Sequence, residues 1–188
     1  MKILAVCRGN KGRSAAFRIL ADHIRGSDKK YEGIRVDSAG IDEGKILEDA
    51  KNNETGVSPY METVFEKQYQ GISYEHTRKP VDNTLISEAD IVLTFEKGIK
   101  DHLYKLFPAH KDKIYSIRGY LTGKRDIDED VGDPAKIAEG EKYRGRETNR
   151  LKAASKMIRE CEGLAYNVLD KIVEKPQNKN KDDRTTNQ

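Results

Sequence analysis

Cysteine and long apolar stretches are scarce in this chain, and both shortages exclude classes of protein. The 188 residues include two cysteines, Cys7 and Cys161. Two cysteines cannot form the dense disulfide framework of a small secreted domain, so we expect a reducing, cytoplasmic setting. No apolar stretch approaches the roughly 20 residues that a membrane span requires, and no signal-type apolar region follows Met1. We therefore expect a soluble protein that is neither exported nor associated with a membrane.

Charged residues make up 36% of the chain, and their distribution is more informative than their total. The net charge is +3, from 35 basic and 32 acidic residues, which is too small and too mixed to indicate a nucleic-acid-binding protein. However, five basic residues precede the first acidic residue, Asp22; they are Lys2, Arg8, Lys11, Arg13 and Arg18. This local excess favours an anionic ligand near the amino terminus, although a solvated basic face would have the same composition.

Short apolar segments alternate with segments of helical periodicity, which is typical of an α/β sheet with right-handed crossovers. The predicted strands are 3–6, 34–36, 90–95 and 113–117, and the predicted helices are 14–26, 59–69, 99–107 and 151–172. Residues 41–58 are polar and contain Gly44 and Gly56, so they are expected to form a long loop. The length of the chain predicts one domain.

The clearest helical periodicity lies near the carboxyl end. Apolar residues there step by three and four and form one stripe of Leu151, Ala154, Ile158, Cys161, Ala165, Val168 and Ile172. We expect this stripe to cover a face of the sheet, and a coiled-coil dimer is the competing interpretation. Residues 174–188 consist only of Lys, Asp, Asn, Gln, Thr, Pro, Arg and Glu, so they cannot offset their ordering entropy. The chain is therefore predicted to have a domain at 1–173 and a disordered polar tail at 174–188.

A cysteine and an arginine six residues apart lie between the first predicted strand and the first predicted helix. The segment is Cys7-Arg8-Gly9-Asn10-Lys11-Gly12-Arg13-Ser14. A loop that leaves a strand and enters a helix points successive backbone N–H groups inward, and the helix dipole adds positive charge there. Gly9, Gly12 and Asn10 tolerate the backbone angles that close approach to an anion demands. We therefore predict that this loop binds a tetrahedral oxyanion through residues 8–14.

Cys7 is the candidate nucleophile of this loop. The backbone N–H groups, the helix terminus and the Arg13 guanidinium all favour its thiolate over its thiol. Arg13 also offers a planar fork of donors for two oxygens of the anion. A thiolate below a bound phosphate is placed for in-line attack on phosphorus. A buried and unreactive Cys7 is the alternative interpretation.

In-line displacement also needs an acid that protonates the leaving oxygen. The best candidate is Asp133, which follows the fourth predicted strand and precedes the stiff Pro134. Four more acidic residues lie just upstream, at Asp126, Asp128, Glu129 and Asp130. A calcium-binding loop starting at Asp126 is excluded, because Val131 and Ile137 occupy the positions of its glycine and glutamate. The histidines show no ligand-like spacing, so each is expected to be structural or exposed and no metal site is predicted.

In their order along the chain, these motifs resemble those of the low-molecular-weight protein tyrosine phosphatase family. The matching segments are Cys7-x-Gly9-Asn10-x-x-Arg13-Ser14, Val36-Asp37-Ser38-Ala39-Gly40, Ala89-Asp90-Ile91-Val92-Leu93 and Asp133-Pro134. The resemblance covers about residues 1–173 and implies a three-layer α/β sandwich with a central four-stranded parallel sheet flanked by helices. It also implies a two-step hydrolysis of phosphomonoesters through a cysteinyl phosphate, without metal or other cofactor.

The resemblance assigns roles to individual residues. By this likeness, Cys7 is the nucleophile, Arg13 binds the phosphate and stabilises the transition state, and Asp133 is the general acid and then the base. Three residues would support the loop and the leaving sulfur, namely Asn10, Ser14 and Ser38. The implied substrate is a phosphorylated protein, above all at tyrosine, or a small aryl phosphate. Inorganic phosphate or sulfate is expected to occupy the same site.

Two departures from the family pattern keep other functions open. Gly12 stands where many members carry a second cysteine, so a protective disulfide between Cys7 and that position is impossible. Ala135 and Lys136 follow the Asp-Pro pair, where members that prefer phosphotyrosine usually have aromatic residues, and this sequence also resembles arsenate reductases of the same fold. Because Cys161 lies on the apolar helical stripe, such a reductase would need an external thiol. The alternatives are therefore this arsenate reductase and a noncatalytic phosphate-binding module.

Overall fold

Four parallel strands form the sheet at the centre of the fold. The computed structural model describes residues 1–52, 56–125, 130–132 and 147–174. The strands are β1 (Lys2–Cys7), β2 (Arg35–Gly40), β3 (Ile91–Thr94) and β4 (Ile114–Ser116). Their order in the sheet is β2-β1-β3-β4 with every neighbouring pair parallel, which confirms the predicted four-stranded sheet. The central strand β1 is apolar because both faces of a parallel sheet are covered, and Ile3 to Val6 are fully buried.

Helices cover both faces of this sheet. Within the described residues the α-helices are α1 (Arg13–Ser27), α2 (Glu43–Lys51), α3 (Pro59–Gln68), α4 (Asn83–Glu88), α5 (Lys97–Leu106), α6 (Ile117–Thr122) and α7 (Glu147–Glu174). The step from β1 to β2 and the step from β3 to β4 run in opposite directions across the sheet. Because parallel crossovers are right-handed, α1 and α5 lie on opposite faces, which gives the predicted three layers.

The long helix α7 packs on the domain rather than standing apart as a coiled coil. It contacts α1 and α3, and its stripe residues Ala154, Ile158, Cys161, Ala165 and Val168 are buried in the core. The stripe is therefore buried against helices of the same domain, which favours docking over the competing coiled-coil dimer, and its main contacts are with α1 and α3 rather than with the strands. Among the described residues, no helix combines the length and the apolar composition that crossing a bilayer requires.

The expectation of a long loop at 41–58 is wrong, because α2 occupies half of it. The Asp42 side chain caps this helix by accepting a hydrogen bond from the Lys45 backbone N–H, at 3.2 Å. Ile46 is the one buried apolar residue of α2, so the sequence carries no apolar stripe there. The six-residue helices α4 and α6 were also not predicted, since each is shorter than two turns. Residues 175–188 lie outside the described residues, so the tail stays a prediction.

Candidate active site

The loop between β1 and α1 lies at the carboxyl edge of the sheet. Cys7 ends β1 in register with Gly40 at the end of β2. Ligands of open α/β sheets bind at this edge, where the strand order reverses, and β1 is that point here. Gly40 has to be glycine, because a Cβ there would lie 2.6 Å from the Arg8 carbonyl oxygen and 2.9 Å from the Asn10 amide nitrogen. Because Gly40 has no side chain, the end of β2 can pack directly against the backbone of the loop.

All six carbonyl groups from Cys7 to Gly12 accept hydrogen bonds from outside the loop. In chain order the donors are Ile41 N (3.1 Å), Asp42 N (3.0 Å), Arg78 Nε (2.9 Å), His76 Nε2 (2.7 Å), Ser58 N (2.9 Å) and Ala16 N (2.8 Å). In a trans peptide the carbonyl and the next N–H point in opposite directions, and the described residues contain no cis peptide. The N–H groups of residues 8–13 therefore face the inside of the loop.

These inward N–H groups form a cup for an anion. We call residues 7–14 the phosphate cup. Gly12 is the N-cap of α1 and has no side chain to cap it, so the first N–H groups of α1 are directed toward the same space. The partial positive charge at the helix N-terminus acts there as well. The cup thus has the donors and the charge that a tetrahedral oxyanion needs.

Asn10 fixes the shape of the cup and the hydroxyl beside the sulfur. It has a left-handed φ of 51°, which asparagine tolerates better than most residues. Its buried side chain donates to Ser14 Oγ at 3.1 Å and to Ser38 Oγ at 3.0 Å, and it accepts from the Lys79 backbone N–H at 3.0 Å. Ser14 Oγ lies 2.9 Å from Cys7 Sγ. The structure therefore brings these predicted support residues together with the predicted nucleophile.

Arg13 is buried at the start of α1, and acceptors from later in the chain hold its guanidinium. Its guanidinium pairs with the carboxylate of Glu96, just beyond β3, and NH1 donates to the Val131 carbonyl at 3.1 Å. Arg13 and Glu96 are 3% and 6% exposed, so little water competes for the pair. The two contacts fix the plane of the guanidinium before any ligand binds. Val131 N–H in turn donates to the Phe95 carbonyl at 2.9 Å, which ties this segment to the end of β3.

His76 is structural, as predicted, but it acts directly on the cup. Burial, assisted by the nearby Arg18 charge, lowers the pKa of His76 to about 4, so the ring is neutral near pH 7. A carbonyl oxygen can only accept, so Nε2 carries the proton that bonds the Asn10 carbonyl. Nδ1 is then the acceptor that faces the Arg18 guanidinium at 3.5 Å. A protonated ring would lose this second contact and bring two cations together.

Basic residues surround the outside of the cup, and one buried carboxylate binds several of them. Arg8 is exposed, while Lys11 is partly exposed and its Nζ lies 3.5 Å from the Asp49 carboxylate. Asp49 is 1% exposed and also pairs with Lys45, at 2.9 Å, and with the buried Arg78 guanidinium. Hydrogen bonds from Lys45 and Arg78 hold the pKa of Asp49 well below its usual value, so this carboxylate is ionised.

Two other predicted features have different outcomes. Asp133, the predicted acid, lies outside the described residues. Cys161 is fully buried, which confirms it as a core residue, and its thiol donates to the Arg13 carbonyl at 3.6 Å. Burial raises the pKa of the Cys161 thiol, so it is a poor source of a second thiolate. In the described part of the chain, no group of three or more His, Cys, Asp or Glu is arranged to hold a metal ion.

Sequence reasoning missed Glu96, Asp49 and Arg78. Glu96 had a usable signal, since an acidic residue directly after a buried parallel strand lies at the ligand-binding edge of the sheet. Asp49 and Arg78 had none, because they are 29 residues apart and meet only through the tertiary fold. Each of the three is a buried charge within the network around the cup. Such long-range pairs leave no periodic pattern in a single sequence.

The parallel sheet and the cup together define the class of this protein, the cysteine-dependent phosphatases, in which a strand-loop-helix segment binds the phosphate of the substrate. Within that class, the chain belongs to the low molecular weight phosphotyrosine protein phosphatase family, whose family model matches residues 2–176. This finding confirms the family that the motifs resemble. The phosphatase activity expected from that resemblance is confirmed with it.

Relatives within this family differ in their named substrates. A protein-arginine-phosphatase from Bacillus subtilis (strain 168) is 30% identical over 134 residues, which cover 71% of this chain and 79% of that protein. The YwlE arginine phosphatase from Geobacillus stearothermophilus has a TM-score of 0.68 at 25% identity, covering 91% of this chain and 92% of that one. A low molecular weight protein tyrosine phosphatase from T. tengcongensis has a TM-score of 0.68 at 23% identity, and the match covers 91% of this chain and 99% of that one.

Proposed function

We propose that this phosphatase is a metal-independent protein tyrosine phosphatase that acts through a phosphorylated Cys7. The observation that carries the proposal is the orientation of the cup, in which all six carbonyls from Cys7 to Gly12 are bonded from outside. The N–H groups of residues 8–13 are thereby directed at the oxygens of a phosphate placed over the sulfur. Preorganised donors of this kind stabilise the charge that develops on a phosphoryl group in the transition state.

In the first step, the ionised Cys7 sulfur attacks phosphorus while the bond from phosphorus to the tyrosine oxygen breaks. Arg13, held in plane by Glu96, binds the phosphoryl oxygens. Asp133 donates a proton to the leaving phenolic oxygen. The support for Asp133 is the hydrogen bond between Arg13 and the Val131 carbonyl, which ties the chain to the cup two residues before Asp133.

In the second step, Asp133 accepts a proton from water while the water oxygen attacks phosphorus and the P–S bond breaks. The Ser14 hydroxyl, 2.9 Å from the sulfur, stabilises the departing thiolate by donating a hydrogen bond to it. The products are the dephosphorylated side chain and inorganic phosphate. Inorganic phosphate and sulfate are expected to compete with substrate, since both fit the same donors.

The charges around the cup favour phosphotyrosine, especially beside acidic residues. Arg8 is exposed and Lys11 is partly exposed, and both attract an anionic peptide. The leaving group of phosphotyrosine is a neutral phenol, whereas protonation of the phosphoarginine leaving group gives a guanidinium cation that these residues repel. A protein-arginine phosphatase is the second candidate, and the similarity to relatives of that name favours it.

Cys7 and Cys161 are both free thiols. A nucleophilic cysteine retains its activity only where it is kept reduced, because the thiolate is the form that oxidants attack. We therefore place the protein in the cytoplasm, acting on phosphorylated proteins.

The proposal is tested by comparing turnover of phosphotyrosine, phosphoarginine and phosphoserine peptides and of arsenate, with and without a metal chelator. We expect phosphotyrosine to be the best substrate, no effect of chelation, and no turnover by Cys7→Ser. Preferred hydrolysis of phosphoarginine would establish the second candidate instead. Arsenate-dependent oxidation of an added thiol without phosphatase turnover would identify an arsenate reductase, and phosphopeptide binding without turnover would identify a binding module.

A further inference from the structure

We infer that Asp49 and Arg78 are positioning residues that hold the first half of the phosphate cup in its anion-binding shape. The inference rests on the proposed function of the cup and adds two residues that are not among its proposed phosphate ligands. Their side chains are each 2% exposed, and the carboxylate and guanidinium form an ion pair between α2 and the segment that joins α3 to α4. A buried pair of this kind has one fixed geometry, because neither partner can exchange it for water.

Arg78 acts on the cup through the Gly9 carbonyl. Its Nε donates to that oxygen at 2.9 Å, and Arg78 lies outside residues 7–14. Gly9 has no side chain to restrict its backbone, so the peptide between Gly9 and Asn10 requires an external anchor to keep one orientation. With the carbonyl bonded outside, the Asn10 N–H has to point inside. Arg78 therefore sets the direction of one of the phosphate donors.

Asp49 pairs with Arg78 and lies on α2, the helix that the sequence pattern does not predict. Three contacts place α2 against the cup. The Asp42 N–H bonds the Arg8 carbonyl at 3.0 Å, Ile46 packs within 2.8 Å of the position that a Gly40 Cβ would take, and Asp49 pairs with Arg78. The helix α2 thus acts as a support for the cup, with Asp49 as its charged contact.

Replacing Asp49 by asparagine keeps its shape but removes its charge. Arg78 then loses a carboxylate that fixes its guanidinium, and its bond to the Gly9 carbonyl weakens because the side chain is held less firmly. A misplacement of about 1 Å in such a site changes rates by roughly a hundredfold. We therefore expect Asp49→Asn to weaken phosphate binding although Asp49 is not a phosphate ligand.

The experiment compares Asp49→Asn, Arg78→Met, the double variant and a matched control, Asp170→Asn. Asp170 accepts a hydrogen bond from the buried Tyr31 at 2.7 Å and pairs with Lys30 at 3.1 Å, near the end of α7 and away from the cup. The measurements are the dissociation constant of inorganic phosphate by calorimetry, kcat and KM for p-nitrophenyl phosphate, and the Tm of each protein. The phosphate affinity of the folded protein distinguishes a displaced cup from a less stable protein. A variant that is only less stable still has an intact cup in its folded molecules.

We expect both single variants to bind phosphate about 10-fold to 100-fold more weakly and to raise KM and lower kcat, with wild-type binding in Asp170→Asn. The double variant leaves no unpaired buried charge, so it is expected to fold even where a single variant does not. Its phosphate affinity should stay low, because the Gly9 carbonyl has lost its donor. Wild-type phosphate affinity in the double variant, or in a folded Asp49→Asn, would overturn the inference.

Phosphate binding does not depend on turnover, so the two claims can fail separately. A wild-type protein that binds phosphate but hydrolyses no substrate would refute the proposed function, while the affinities of the variants would still decide the roles of Asp49 and Arg78. A wild-type protein that hydrolyses phosphotyrosine, with unchanged phosphate affinity in the folded variants, would refute only the inference. A wild-type protein that does not bind phosphate would refute both.

Discussion

The guanidinium of Arg13 and the carboxylate of Glu96 form a buried ion pair between the first residue of α1 and the residue that immediately precedes α5. Because Arg13 begins α1 and Glu96 is the N-cap residue of α5, the pair holds the guanidinium in place without a bound ligand. A preorganised cation stabilises transition-state charge without the cost of reorienting during the reaction. The pair also connects the cup to the Val131 segment, since Arg13 binds both Glu96 and the Val131 carbonyl.

Glu96→Gln is expected to lower kcat by about 10-fold to 100-fold, because the Arg13 guanidinium is then less firmly held. The measurement is steady-state hydrolysis of p-nitrophenyl phosphate at one pH, with Tm recorded to confirm folding. Glu88→Gln is the matched control, since Glu88 pairs with Lys2 on the surface at 2.5 Å and should leave kcat unchanged. A wild-type kcat in folded Glu96→Gln would show that the pair does not position Arg13 for catalysis.

Asp133→Asn is expected to lower kcat for phosphotyrosine by about 10²-fold to 10⁴-fold, the usual contribution of general acid catalysis. The loss should be smaller for p-nitrophenyl phosphate, because its leaving group is acidic and needs less help from a proton donor. Asp130→Asn is the control, since Asp130 accepts a hydrogen bond from the Lys97 backbone N–H at 2.8 Å and has no proposed catalytic role. Equal losses in both variants, or none in Asp133→Asn, would reassign the acid.

The order of strands and helices could be predicted because each carries a local pattern. The run from Ile3 to Val6 is apolar throughout since β1 is buried on both faces, and the stripe of α7 is regular since one side packs on the domain. The helix α2 could not be predicted, because only Ile46 and Asp49 turn inward and a buried aspartate gives no apolar signal. Its place in the fold depends on contacts with the cup rather than on its own composition.

The cup could be predicted because its residues are consecutive, so Cys7, Arg13 and Ser14 form one motif between a strand and a helix. The residues that support it are distant in sequence. Arg78 and His76 donate to the carbonyls of Gly9 and Asn10, which precede them by more than 60 positions. Glu96 and Arg13 are 83 positions apart. A single sequence contains no periodicity that links such positions, and only the folded chain brings them together.

Arg8→Gln is expected to lower kcat/KM for a phosphotyrosine peptide with acidic neighbours by up to about fivefold at low salt, because exposed ion pairs contribute up to about 1 kcal/mol. The effect should decrease as salt screens the charge. Arg35→Gln is the control, because Arg35 is also exposed but begins β2 at the opposite edge of the sheet. A loss that persists at high salt would contradict an electrostatic role for Arg8.

The protein is expected to lose stability as pH falls from about 6.5 toward 4, in part through His76. The pKa of His76 is lowered to about 4 in the folded protein from 6.5, so the unfolded chain binds more protons in this range. This contribution is present above pH 6.5 and amounts to at most about 3 kcal/mol. Urea unfolding between pH 7 and 4 should show a smaller pH dependence for His76→Gln than for wild type. The same pH dependence in both proteins would show that His76 is not the group that titrates.

The most direct test of the account is whether Cys7 takes the phosphoryl group. Asp133→Asn lacks the base proposed for the second step, so an aryl phosphate with an acidic leaving group is expected to trap the intermediate on this variant. The reaction is stopped with denaturant after milliseconds, and the phosphoryl group is located by mass spectrometry of peptides. The account predicts phosphate on the peptide that contains Cys7, formed before inorganic phosphate is released, and no turnover by Cys7→Ala. Turnover by Cys7→Ala at the wild-type rate, or phosphate release without a phosphorylated Cys7, would contradict it.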